Sequence, residues 1–210
     1  MKQTRSFNFE VRAERDSENG TFITGRPIVY NQRTDLGWFD EEIEEGALDE
    51  KGLRDVRFLV NHNTDMIPLA RSRRNNKNST MQLEIVKEGL DIRVNLDTEN
   101  NPEARALYSA VQREDVSGMS FMFEIDGEEW EDLESDHPLR RIKKIGNVYE
   151  VSACTFPAYE ATTIEARNNS DALESAKEAL ERAKRDKVEA IKKEKRDWLL
   201  ETLKELREKE

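Results

Sequence analysis

Ser117-Gly118-Met119-Ser120-Phe121-Met122-Phe123 sets one hydroxyl, that of Ser120, among large apolar side chains and two residues after a glycine. Gly118 can take backbone angles closed to other residues, so it permits a tight turn. Met119 to Ile125 is apolar enough to be a strand in a packed core, and it follows a charged, helix-like segment, Asn101 to Glu114. A serine at such a strand start is either a small core polar group bonded to backbone or a nucleophile held in place. What lies upstream and downstream weighs the two.

A serine hydroxyl is a weak nucleophile at neutral pH and needs an adjacent general base, itself oriented by a third group. The chain has only two histidines. His62 closes the apolar run Val56-Arg57-Phe58-Leu59-Val60-Asn61-His62, which predicts a strand delivering an imidazole at its end. His137 lies in Glu134-Ser135-Asp136-His137-Pro138, a polar stretch that predicts a loop between two strands. His62 is the better placed of the two to be held rigidly. A third stretch, Asn147 to Tyr159, is an apolar strand interrupted by one carboxylate, Glu150. Either Glu150 faces solvent on a half-buried strand, or it is buried and paired, because an unpaired buried charge costs several kcal/mol. Spacing alone leaves both readings open.

Taken together, these residues resemble a known family. Asn61-His62-Asn63, the Gly118-Met119-Ser120-Phe121 turn, and Glu150-Val151-Ser152 followed by Thr155-Phe156-Pro157-Ala158-Tyr159 look like the motifs of tailed-bacteriophage prohead (capsid-maturation) proteases. These enzymes are similar in fold to the herpesvirus assemblin proteases and share their histidine-then-serine order. The likeness runs from about Arg5 to Arg167 and takes in Trp38-Phe39-Asp40-Glu41-Glu42-Ile43 and the helix leading into the serine turn. It implies His62 as base, Ser120 as nucleophile and Glu150 as third member. This chain departs from the family pattern at Met122, where a glycine is frequent, and at Ala70-Arg71, where Gly-Arg is frequent. The Phe156-Pro157-Ala158-Tyr159 turn has no arginine of the kind the herpesvirus enzymes use there, so backbone N–H groups near it are the expected oxyanion donors.

The resemblance implies a serine endopeptidase whose substrate is the scaffolding portion of the major capsid protein, together with its own tail. It places the enzyme in the host bacterial cytoplasm, inside the assembling prohead, and calls for no metal or organic cofactor. Self-association is left open. The alternative from another class is a catalytically inactive scaffold or assembly protein acting through a helical tail.

Composition sets bounds on this. In 210 residues, 34 basic and 45 acidic side chains leave a net charge of −11, which argues against a nucleic-acid or anionic-membrane surface. One cysteine, Cys154, rules out an internal disulfide. No stretch approaches the roughly 20 apolar residues of a membrane span, and the start carries no apolar signal region, so we expect a protein that is not exported.

Periodicity supplies the rest. Phe7, Phe9 and Val11 alternate with polar residues, and Asn19-Gly20 marks a turn into a strand that Gly25 and Pro27 bend or bulge. Asp40 to Leu48 reads as a short acidic helix and Asp126 to Asp136 as an acidic linker. Leu83 to Val86 and Leu90 to Val94, with Gly89 between them, predict a hairpin. Pro102 opens a helix with Ala104, Leu107, Tyr108 and Val111 on one face. Many strands, few helices and no βαβ order predict a mainly β, α+β chain: an antiparallel β-barrel, closed or nearly so, over residues 1–167. The barrel that the resemblance implies is of the herpesvirus-protease type. Residues 168–210 contain no Gly or Pro and carry 12 acidic and 12 basic side chains, which predicts a charged helical tail. Its terminal Trp198, Leu199, Leu203 and Leu206 suggest an assembly contact.

Overall fold

The computed structural model describes residues 2–7, 11–16, 20–155 and 170–207. The expected boundary near Asn168, Phe9, the Asn19 side of the first turn and the Phe156-Pro157-Ala158-Tyr159 turn lie outside them.

In chain order the elements are β1 (Lys2–Phe7), β2 (Arg12–Asp16), β3 (Gly20–Val29), β4 (Thr34–Asp35), β5 (Asp40–Ile43) and a 3-10 turn (Glu50–Leu53). They continue with β6 (Asp55–Val60), β7 (Ala70–Arg73), β8 (Met81–Val86), β9 (Gly89–Asn95), α1 (Pro102–Gln112), β10 (Gly118–Glu131), β11 (Leu139–Cys154) and α2 (Ser170–Arg207). The chain is a mixed α+β protein made mostly of strands. One sheet runs β1-β10-β11-β5-β4, with β6 also on β11 and β7 on β6; the other runs β2-β3-β9-β8.

Among the described residues these two sheets do not close into a single barrel, and the pairing is not antiparallel throughout. β11 is long enough to serve different partners along its length. Its start pairs in parallel with β5 (Leu139 to Asp40), its end in parallel with β6 (Ser152 to Leu59), and β10 runs antiparallel along its other edge. Both sheets nevertheless share one core, in which Ile23, Met81 and Leu90 of one meet Phe58, Phe121 and Ile142 of the other.

Two local expectations change and a third holds. Asp40–Ile43 is strand, not helix, because alternate residues are buried: Ile43 enters the core and Glu41 meets two arginines. Much of the expected acidic linker is strand as well, because the carboxylates of Glu128 and Glu131 pair across the hairpin with Arg140 and Arg141. Cross-strand ion pairing outweighs the weak β-propensity of glutamate here. The bend at Gly25 and Pro27 is a register shift between Gly25 and Ile28, as the breakers predict.

Gly89 sits at φ 154°, where a Cβ would lie 1.9 Å from the Ile28 carbonyl oxygen, so only glycine fits between β3 and β9. α1 starts as its sequence predicts. Asn101 caps it by accepting from the N–H groups of Glu103 (3.0 Å) and Ala104 (3.3 Å), and Ala104, Leu107 and Val111 are buried.

The first part of α2 is not solvated. Ala176 and Leu180 are buried in a second cluster with Phe39, Trp130 and Leu133, where Trp38 stacks on Trp130 at 5.9 Å between centroids. Farther along the helix, Trp198 (66%), Leu199 (53%) and Leu203 (51%) stand exposed.

Candidate active site

Val60 ends β6, and the chain then turns through Asn61 and His62 with φ values of 50° and 56°. Asn63 N–H closes the turn on the Val60 carbonyl at 3.1 Å. Two successive left-handed residues form the kind of turn that follows a strand twist, and asparagine and histidine are among the side chains that tolerate it. The conformation costs roughly 1–2 kcal/mol for a non-glycine residue, so surrounding contacts must hold it. They do. Asn61 Oδ1 accepts from Thr155 N–H at 3.0 Å, its amide donates to Thr155 Oγ1 at 3.0 Å, and His62 N–H donates to Ser152 Oγ at 3.1 Å. His62 is therefore locked to the end of β11, two residues beyond the strand expected to deliver it.

β11 meets the turn with one face. Glu150, Ser152 and Cys154 are spaced by two and point the same way. Glu150 is buried, with 2% exposure, and its Oε1 lies 2.5 Å from His62 Nδ1. Its Oε2 accepts from Ser152 Oγ, also at 2.5 Å. The single Ser152 hydroxyl proton goes to Glu150, so its oxygen is left to accept the His62 N–H. This fixes the tautomer: with Nδ1–H donating to the carboxylate, Nε2 is the nitrogen able to take a proton. Of the two readings left open for Glu150, the buried and paired one holds.

Ser120 stands on the neighbouring strand, β10, in direct register with Ser152 and hence on the same face. It is fully buried, and its hydroxyl donates to the Arg5 carbonyl oxygen at 2.7 Å, not to the imidazole. His62 and Glu150 are thus in contact, while Ser120 is one strand away with its proton committed to β1. The atom near His62 Nε2 is instead Cys154 Sγ, at 4.0 Å.

Two features of this site escaped the sequence reading. Ser152 appeared there only as part of a motif, although its place two residues after Glu150 on a strand is a signal that both share a face. The second is an ion cluster behind the site. Arg5 donates to both oxygens of Glu41 (2.7 Å to Oε2) and to Gln3 Oε1 at 2.8 Å. Arg140 reaches Glu41 at 3.3 Å, Gln3 at 3.2 Å and Glu128 at 2.6 Å. Burial works to raise the Glu41 carboxyl pKa, but the charges and hydrogen bonds of Arg5 and then Arg140 outweigh it and hold it below its ordinary value. The cluster pins β1 beside β10, and so fixes the carbonyl that Ser120 touches. Long-range pairings such as these leave no periodic trace in a sequence.

His137 lies in the loop between β10 and β11, roughly 30 Å along the strands from Ser120. It contacts Asp40 at 3.0 Å and Asp35 at 3.7 Å. These three are the residues able to hold a metal ion among those described, with ligand atoms within 4.8 Å of one another, and they are remote from His62.

No curated protein and no solved structure matches this chain. The sequence profile of one family does, over residues 7–177, and it spans His62, Ser120 and Glu150 alike. By that match the chain belongs to the caudovirus prohead serine protease family.

Proposed function

We propose that the protein is the endopeptidase that matures the phage prohead by cutting the scaffolding portion of the major capsid protein, and its own tail, inside the assembling shell in the host bacterial cytoplasm. Ser120 attacks the scissile carbonyl carbon. His62 Nε2 takes the hydroxyl proton and returns it to the leaving amine, while Glu150 orients the ring and offsets its positive charge. Ser152 holds the Glu150 carboxylate and the His62 backbone in one arrangement.

One observation carries this reading: a buried carboxylate 2.5 Å from Nδ1 of a histidine whose other nitrogen has no oxygen or nitrogen partner among the described residues. A buried Glu–His pair of that kind is what a general base needs. For catalysis the Ser120 hydroxyl has to leave the Arg5 carbonyl, by rotation about its Cα–Cβ bond, and turn toward the face that carries His62. Catalytic hydrogen bonds commonly tighten only when substrate is bound. A barrel of the herpesvirus-protease type, with the two parallel pairings of β11 in its wall, belongs to the same reading, and the single core under both sheets supports it.

Co-expression with the capsid protein tests the function. Native enzyme should shorten the capsid protein and Ser120→Ala should leave it intact by mass spectrometry. The exposed Trp198, Leu199 and Leu203 favour the alternative, a non-catalytic scaffold acting through α2. Shell assembly with an uncut capsid protein in the presence of native chain would select it.

A further inference from the structure

We propose that the outer half of α2 is a docking face for an acidic amphipathic helix of another protein, selected by Lys192 and Lys195 through ion pairing within an otherwise apolar contact. Neither His62 nor Ser120 takes part, so the docking is independent of proteolysis.

The helix packs on the body through residues up to Ala183 and then runs on to Arg207. Along that outer stretch Val188, Ile191, Trp198, Leu199 and Leu203 are all exposed. At 3.6 residues per turn they fall on one side of the helix, over about 22 Å of its axis. Lys195 stands in the middle of that side, four positions after Ile191 and four before Leu199. Lys192 follows Val188 by four and precedes Leu199 by seven, which places it on the same side. Both lysines are exposed, and neither has an ion-pair partner among the described residues. The carboxylates gather elsewhere: Glu194, Asp197 and Glu201, at i, i+3 and i+7, line the opposite side. Along this face a partner therefore meets apolar, then cationic, then apolar surface.

That order selects among the possible occupants. A second α2 lying antiparallel, with Val188 against Leu199, puts Lys192 against Lys195; lying parallel, it puts each lysine against its own counterpart. Like charges across a contact are unfavourable in both cases. The body of a second copy is acidic, but among the described residues its exposed large apolar side chains are Ile67 and Ile85, too few to receive five. A helix lying in a membrane surface keeps its charges at the edges of its apolar face, and here they stand in the middle. Nucleic acid would satisfy the lysines but leave Trp198, Leu199 and Leu203 wet, and the net charge of −11 opposes it as it opposes an anionic bilayer. A protein helix with carboxylates set between its apolar turns satisfies the whole pattern. Its apolar side chains pack along Val188 to Leu203 while its carboxylates reach Lys192 and Lys195.

As a test, the full chain is offered two synthetic peptides: a helix with a leucine seam interrupted by two glutamates, and its twin with lysines at those two positions. Titration calorimetry and the emission of the exposed Trp198 follow binding. The glutamate peptide should bind about tenfold more tightly than its twin at low salt and shift the emission to shorter wavelength. Lys192→Glu with Lys195→Glu should invert that preference, and Lys192→Gln with Lys195→Gln should level it, with α2 still helical by circular dichroism. Leu199→Asp should abolish binding of both peptides. Equal affinity of the native chain for the two peptides, or none for either, would overturn the proposal. So would a dimer in sedimentation that Leu199→Asp dissolves, or a preference for phosphatidylserine vesicles or duplex DNA over the glutamate peptide.

Discussion

Oε1 of Glu150 lies 2.5 Å from Nδ1 of His62, across 88 positions of sequence, and the two are joined a second time through Ser152. The contact exists because β6 and β11 run side by side in parallel, with Ser152 opposite Leu59 and Ala153 opposite Val60. The turn at Asn61 and His62 then folds the imidazole back over the face that carries Glu150. A strand pair sets the approach, and a strained turn sets the angle.

From this pair we expect graded damage. Glu150→Gln keeps the shape but loses the charge, and comparable losses of an orienting carboxylate in triads cost about 10⁴ in turnover. Ser152→Ala removes one hydrogen bond to a charged group, about 1.5–3 kcal/mol, and should slow turnover by roughly 10- to 100-fold. Cleavage rates on a capsid-derived peptide, with circular dichroism to confirm folding, measure both. Full activity in a folded Glu150→Gln protein would remove Glu150 from the mechanism.

The Glu41 cluster predicts acid sensitivity. Its carboxyl sits below the ordinary value of 4.5 in the folded protein, so its contribution to stability is complete above about pH 4.5 and is lost as pH falls further. Glu41→Gln leaves Arg5 and Arg140 buried without that partner, a loss of about 3–5 kcal/mol at neutral pH. The gap in melting temperature between native protein and Glu41→Gln should therefore be wide at pH 7 and narrow below pH 4.5. A gap that stays constant with pH would show that the charge of Glu41 is not what matters.

The tail divides in two. Ending the chain after Ala183 should leave the melting temperature nearly unchanged, because the residues whose burial is described beyond it, 184–204, are exposed apart from the partly covered Lys184 and Thr202. Ending it after Arg167 should lower the melting temperature, because Phe39 and Trp130 lose the cover of Ala176 and Leu180. Ala176→Glu, which forces a charge into a fully buried position, should mimic the longer deletion at a cost of about 3 kcal/mol or more. Equal melting temperatures for all four proteins would mean that the body does not need α2.

Much of this was legible from residues alone. The Gly89 hairpin, the start of α1 and the α2 helix rest on local signals: a glycine at a turn, a proline opening a helix, and a long run of helix-forming residues. His62 and Glu150, which the structure brings into contact, stood out as candidates because the chain has two histidines and one carboxylate inside that apolar strand, whereas the roles of base, nucleophile and third member came from the family resemblance. What could not be read was set by partners distant in sequence. Asp40–Ile43 carries three acidic side chains and resembles a helix start, and becomes a strand only because Arg5 and Arg140 wait for Glu41. The two parallel pairings of β11 were hidden for the same reason. So was the commitment of the Ser120 hydroxyl to Arg5, which depends on β1 lying where the ion cluster pins it.

The claim on which the rest depends is that Ser120 and His62 act as one unit despite the hydrogen bond between Ser120 and Arg5. Labelling with a fluorophosphonate measures it directly, since the reagent reacts with a serine only when a base activates it. One adduct is expected, mapped by mass spectrometry to Ser120 in the native chain, strongly reduced in His62→Ala, and unchanged in His137→Ala. Labelling of Ser120 that is as fast in folded His62→Ala as in the native chain, or no labelling of Ser120 in a chain that still cleaves the capsid protein, would contradict it.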